Sequence, residues 1–152
     1  MFYFLREDFD ELNSQIKAIC EKIKAIAEDI GKSCQEGSET YHDNFALEEG
    51  ERQQHMWSNR LRELIRVRNN SRVVMPNTTT DRVSIGRMVV LEDESTGHTR
   101  TIKIGSYMTW KKDGTISYNA PLARLVINAR VGEVRDGTIA GEEVKLKIVT
   151  IE

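Results

Sequence analysis

Two acidic side chains and two arginines carry the most chemistry in this sequence. Glu39 and Asp43 lie four residues apart in the polar segment Gly37-Ser38-Glu39-Thr40-Tyr41-His42-Asp43-Asn44. Carboxylate oxygens on a turn suit a hard divalent ion such as Mg²⁺. Two carboxylates hold that ion only weakly, so the free protein is expected to bind none tightly. The other ligands must come from a partner or from substrate phosphates. A plainer reading stands beside it: acids gather in the first turn of a helix because its dipole favours them, and Asp43 or Asn44 caps that helix. Arg52 and Arg60, further along, can contact the phosphates of a nucleic-acid strand. They can equally pair with acids of a facing helix or solvate a rod. His42, His55 and His98 fall on unrelated segments, which argues against a histidine metal site. Cys20 and Cys34 are the only cysteines, too few for a zinc site or a disulfide framework, and both read as reduced.

The elements that must position these groups come in two styles. Leu5, Phe9, Leu12, Ile16, Ile19, Ile23, Ile26 and Ile30 alternate spacings of four and three, the a/d seam of a coiled-coil helix. Polar residues fill the positions between, so this helix has one apolar stripe and needs a partner. A second run carries Phe45, Leu47, Trp57, Leu61, Leu64 and Val67, with a weak register between Leu47 and Trp57. The two helices are expected to fold back on each other as an antiparallel hairpin with Glu39 and Asp43 at its tip. At 1.5 Å per residue, a helix from Leu5 to Glu36 would be roughly 48 Å long. An a/d seam also pairs between chains, so a coiled-coil dimer is the bland alternative; the turn residues after Gly37 favour a monomeric hairpin.

Residues 76–80, Pro-Asn-Thr-Thr-Thr, read as a linker. Beyond them VSIGRMVVL, TRTIKIG, TISY and EVKLKIVTI are rich in Val, Ile and Thr and read as strands from Arg82 onward. Turn signals at Thr96-Gly97, Asp113-Gly114 and Ala140-Gly141 suit hairpins of a small, largely antiparallel sheet. Asn119 to Ile127 reads as one short helix, with Asn119 as its N-cap and Pro121 in its first turn. The expected class is therefore α+β: a hairpin over residues 1–75, a linker over 76–80, and a sheet domain with one helix over 81–152.

The 152 residues carry 22 Lys and Arg against 24 Asp and Glu, a net charge of -2, which excludes a protein that coats nucleic acid through overall positive charge. The average hides a pattern. Residues 36–51 hold six acids and no Lys or Arg, whereas residues 52–72 hold six arginines and one acid, Glu63. An acidic tip thus sits above a basic stalk. No apolar stretch is long enough to span a membrane, and the acids in MFYFLREDFDEL disfavour a signal peptide, so a cytoplasmic protein with no membrane partner is expected.

These features resemble the Gre family of bacterial transcript cleavage factors. ISYNAPLAR, Ile116 to Arg124, is similar to the family's strand and Asn-Ser/Ala-Pro-Ile/Leu-Ala-Arg helix start. Gly132-Glu133-Val134 and Glu143 to Ile148 resemble its closing strands, and Glu51-Arg52-Gln53-Gln54 with Arg60-Leu61 resembles a segment of its second helix. The resemblance implies an FKBP-like C-terminal domain that docks on bacterial RNA polymerase, here through Asn119, Pro121, Leu122 and Arg124. It further implies a hairpin that enters the polymerase secondary channel, with Glu39 and Asp43 as catalytic and Mg²⁺-holding carboxylates and Arg52 and Arg60 near the RNA 3′ end. The protein would then be an accessory factor and not itself an enzyme; the family also carries an association with DNA. The tip departs from the family's Gly-Asp-Leu-x-Glu-Asn-Ala-Glu-Tyr, so Glu39, Thr40 and Ser38 all compete for the first acid position. That departure keeps open a regulator that occupies the channel without promoting cleavage. Tyr107, Trp110 and Tyr118 are expected to be core or docking surface, and an FKBP-like fold does not by itself confer prolyl isomerase activity.

Overall fold

The computed structural model of the chain describes residues 1–36 and 44–152, with side chains over 1–32 and 45–152. A short strand, β1 (Phe2–Phe4), is followed by helices α1 (Arg6–Glu36) and α2 (Asn44–Asn69) and a second short strand, β2 (Ser71–Val73). Then come β3 (Met88–Asp93), β4 (Thr99–Gly105), β5 (Thr115–Ser117), the short helix α3 (Pro121–Val126), β6 (Val134–Ile139) and β7 (Glu142–Ile151). The chain divides into two compact units: Asp10–Asn70, and Met1–Phe9 together with Ser71–Glu152.

In the helical unit the heptad pattern does what its spacing predicts. Leu12, Ile16 and Ile19 of α1 are buried with Leu64 and Val67 of α2, whereas Ile23, Ile26 and Ile30 are only half-buried. Two helices cover a single stripe, and no third layer shields its far end. The pairing is antiparallel. The Lys22 ammonium lies 4.0 Å from the Trp57 ring centroid, and nearer the tip Gly50 faces Ile30, where an added Cβ would stand 2.9 Å from Ile30 Cγ1. Gly50 occupies the stretch where the register of α2 is weakest: close approach of the two helices replaces an apolar knob there. Phe45 is not part of this seam; it is 77% exposed.

In the other unit five strands form a mixed sheet in the order β5-β4-β3-β7-β6. The strands β3 and β4 form a hairpin around Thr96-Gly97, and β6 and β7 form another around Ala140-Gly141. Ala140 and Gly141 both have positive φ, 52° and 80°, as a two-residue turn matched to strand twist requires. Val83, Val89, Leu91, Ile102, Ile104, Leu146, Ile148 and Ile151 are buried with Ala123 and Val126 of α3.

Four sequence expectations are corrected here. Asp113-Gly114 does not close a hairpin, because β5 pairs parallel to β4 and the chain must cross over before entering it. The strand expected from Arg82 begins only at Met88, since Ser84 to Arg87 form a turn closed by the Arg87 N–H on the Ser84 carbonyl at 3.1 Å. Asn119 is not the N-cap of α3; that position is Ala120, which caps with no side-chain bond. The residues at either end of the helical segment were expected to belong with the hairpin, yet β1 and β2 pair parallel to each other and fall in the sheet-containing unit.

Candidate functional site

Glu39 and Asp43, with the competing positions Ser38 and Thr40 and with His42, lie outside the described residues. Carboxylates of this kind have the oxygen donors that Mg²⁺ prefers. Among the described residues no three His, Cys, Asp or Glu side chains come together as a metal site. The first turn of α2 carries no acid, so the dipole reading of the acidic cluster is not met there; Glu48, Glu49 and Glu51 follow later in the helix. Glu49 is held within α2, accepting hydrogen bonds from Arg52 and from Gln53 Nε2, the latter at 3.2 Å.

Arg52 and Arg60 both lie on α2. Their ion pairs are with acids of the same helix, Arg52 with Glu49 and Arg60 with Glu63 at 3.0 Å, and not with α1. The Arg52 side chain is 76% exposed and that of Arg60 43% exposed. Exposed pairs of this type contribute about 0–1 kcal/mol, so both guanidinium groups can exchange an intrahelical carboxylate for a phosphate at little cost. Phe45 shares their face of α2, a placement that the apolar pattern alone hides because it reads every Phe as a core candidate.

The expected docking residues are gathered on α3 and its lead-in. Asn119, Pro121 and Arg124 are exposed, while Leu122 is half-buried against the sheet core. Leu122 also lines a cleft of about 390 Å³ together with Leu91, His98, Arg100, Ile139 and Leu146. Such a cleft has an apolar floor and a polar rim. Leu125 packs against Gly137 of β6, where an added Cβ would meet Leu125 Cδ1 at 2.8 Å.

Sequence reasoning missed the group that seats the N-terminus. Ser106 is fully buried; its hydroxyl accepts the Leu5 N–H at 2.8 Å and donates to Asp8 Oδ2 at 2.5 Å. Phe2 stacks on Tyr107 with ring centroids 4.2 Å apart, Tyr3 approaches Tyr118 at 6.1 Å, and the Tyr107 N–H bonds the Tyr3 carbonyl at 3.0 Å. Tyr107 and Tyr118 are therefore the seat of β1. Lys111 reaches Glu7 at 3.2 Å, and that hydrogen bond holds the Lys111 ammonium above the ordinary lysine range. The signal was present in the aromatic run Phe2-Tyr3-Phe4, a strand-forming composition.

Residues 77–152 match the family model for the C-terminal part of the transcription elongation factors GreA/GreB. The chain is similar to transcription elongation factor GreA of Mycobacteroides abscessus, 28% identical over 155 residues that span 99% of this chain and 93% of the relative. GreA of a Sulfurovum species is 30% identical over 131 residues, 85% of this chain and 76% of the relative. Among solved structures, GreA factor homolog 1 of Thermus thermophilus is similar over 99% of this chain and 97% of its own length, at 18% identity and a TM-score of 0.45. These descriptions give no support to DNA binding. Among the described residues no helix is long and apolar enough to cross a membrane. With half of its length matched by the family model and a 30% identical relative covering most of the rest, the chain belongs to the GreA/GreB family of transcription elongation factors.

Proposed function

We propose that this protein is an elongation factor that acts on bacterial RNA polymerase through its secondary channel and stimulates cleavage of the backtracked RNA 3′ end. The observation that carries the reading is its likeness to GreA along 99% of the chain, which includes the helical hairpin as well as the C-terminal sheet. In this reading the polymerase performs the reaction and the protein is an accessory factor. Mg²⁺ shared between the polymerase and the tip supplies the charge stabilisation and activated water of metal-assisted hydrolysis. Glu39 and Asp43 contribute carboxylate oxygens and hold the attacking water by hydrogen bonding. Arg52 and Arg60 neutralise phosphates of the extruded strand. Asn119, Pro121, Leu122 and Arg124 present the exposed face of α3 to the polymerase surface. The protein acts as a monomer, since its apolar seam is covered by its own second helix.

The test is a stalled, backtracked polymerase complex with labelled RNA. Added protein is expected to shorten the transcript, and Glu39→Ala or Asp43→Ala to slow shortening at least about tenfold, as loss of a group that stabilises transition-state charge does. The departure of Gly37 to Asn44 from the family's tip pattern favours one second reading, a regulator that occupies the channel and slows nucleotide addition. Slower addition with no cleavage at any Mg²⁺ concentration would select that reading.

A further inference from the structure

Phe45 is the most exposed aromatic side chain among the described residues, 77% open at the start of α2. Its spacing to Arg52, Met56 and Arg60 is seven, four and four residues. At 100° per residue these four side chains fall within an arc of about 80°, roughly 110° away from the stripe formed by Trp57, Leu61 and Leu64. Val67, seven residues beyond Arg60, brings the buried seam round to this side only toward the far end of α2; in the half nearer Phe45 the face is open, and Met56 on it is exposed, 53%. Arg52 stands about 10.5 Å along the axis from Phe45, and Arg60 about 22 Å.

A single exposed ring is ordinary on a protein surface, and its meaning comes from the residues beside it. The described residues within one turn on the same side of Phe45 are Glu48 and Glu49, the next is Arg52, and Met56 is the one other apolar side chain of the four, so the described face is mainly charged. A flat ring followed along one face by guanidinium groups is the combination used for single strands: the ring stacks on a base and the cations track the phosphates. The two glutamates oppose a phosphate close to the ring while leaving a neutral base unopposed. Aligning Asp43-Asn44 with the Glu-Asn of the family pattern puts Phe45 where that pattern has alanine, so the ring is a property of this chain.

We propose that Phe45 stacks on an unpaired base of the RNA strand whose phosphates meet Arg52 and Arg60, and so positions the 3′ segment relative to the tip carboxylates. The inference rests on the polymerase reading above and deepens it. It makes Phe45 a positioning residue.

The experiment uses the whole protein and a backtracked polymerase complex carrying 2-aminopurine at the RNA 3′ end, whose fluorescence reports stacking. Wild type is expected to change that fluorescence, Phe45→Trp to keep the change, and Phe45→Ala and Phe45→Leu to lose it. Cleavage at saturating protein is expected to fall roughly five- to a hundredfold in Phe45→Ala, the range that loss of one base-aromatic stack gives. Occupancy of the polymerase, read by anisotropy of labelled protein, should be the same for all four. An unchanged fluorescence signal in Phe45→Ala at normal occupancy overturns the stacking proposal and leaves the polymerase reading standing. Full retention in Phe45→Leu overturns it in favour of an apolar pocket on a protein. If wild type binds without promoting cleavage, the fluorescence arm alone decides. If wild type fails to bind polymerase, both readings fall.

Discussion

Ser106 is the polar residue on which the N-terminal seat depends. It is fully buried between a backbone donor, Leu5 N–H, and a carboxylate acceptor, Asp8. Ser106→Ala keeps the volume nearly constant but strands both partners, and is expected to cost about 1–3 kcal/mol in urea-induced unfolding of the sheet-containing unit. Ser106→Thr adds a methyl group where there is no room, and should not rescue it. Exposed carboxylates give a second, pH-based prediction. Asp113 accepts from Thr115 Oγ1 at 2.5 Å, and that bond, the largest cause, holds its carboxyl below the ordinary 3.8. A lowered acid adds stability above its ordinary value and loses it as pH falls through the lowered one. In Thr115→Val the Asp113 carboxyl resonance is expected to titrate closer to 3.8; no movement would assign the shift to the backbone donors instead. Lys111 has the opposite sign. Its raised value means a contribution present below the ordinary 10.5 that disappears as pH rises past the raised one, and Glu7→Gln should abolish it.

Among elements, α1 was the easiest to read and β1 the hardest, for one physical reason. Helix contacts are local, so apolar residues at alternating spacings of four and three, all but Leu5 inside α1, announce the helix and the face whose Leu12, Ile16 and Ile19 are buried. A three-residue strand is defined by its partner, and the partner of β1 lies about seventy residues away. The same logic separates Ala140-Gly141, a true two-residue hairpin, from Asp113-Gly114, whose turn chemistry is real but whose strand pairs in parallel. Asn119 satisfied the preference for a capping residue, but Pro121 fixed the helix start one residue later than that preference implied. The site was legible to different depths. Arg52, Arg60 and the α3 residues could be placed from sequence because they sit in regular elements, whereas the exposure of Phe45 depends on which face of α2 meets α1. Two glycines test the helix and the sheet in opposite directions. Gly31 lies inside α1 with nothing within 4 Å of an added Cβ, so Gly31→Ala is expected to raise helix stability by about 0.8–1 kcal/mol in thermal unfolding. At Gly105 an added Cβ would stand 2.6 Å from Thr115 Cγ2 and 2.8 Å from Thr109 Cγ2, so Gly105→Ala should destabilise by about 1–3 kcal/mol in the same assay.

At the level of the whole molecule, the sheet-containing unit is assembled from both sides of the helical segment. Met1–Phe9 precedes the hairpin and Ser71–Glu152 follows it. A protein lacking residues 1–5 loses β1, the Phe2-Tyr107 stack and the fully buried Phe4. It is expected to unfold at lower urea concentration when followed by Trp110 fluorescence, even though its strands β3 to β7 are all present. An unchanged midpoint would mean that β1 merely rests on the sheet. The aromatic run Phe2-Tyr3-Phe4 packs and pairs with residues that follow the helical segment, among them Tyr107 and Tyr118.

The pairing of β1 with β2 also has a consequence for how such a protein can vary. Because β1 and β2, hydrogen-bonded neighbours within the sheet-containing unit, flank the helical segment in sequence, the length of that segment can change without altering their pairing. Seven residues added to each arm would keep the a/d register, lengthen each helix by about 10.5 Å, and leave every contact of Ser106, Tyr107 and Tyr118 untouched. Length of the probe and chemistry of its end are therefore independent variables, open to change by insertion in whole heptads without renegotiating the fold that carries them.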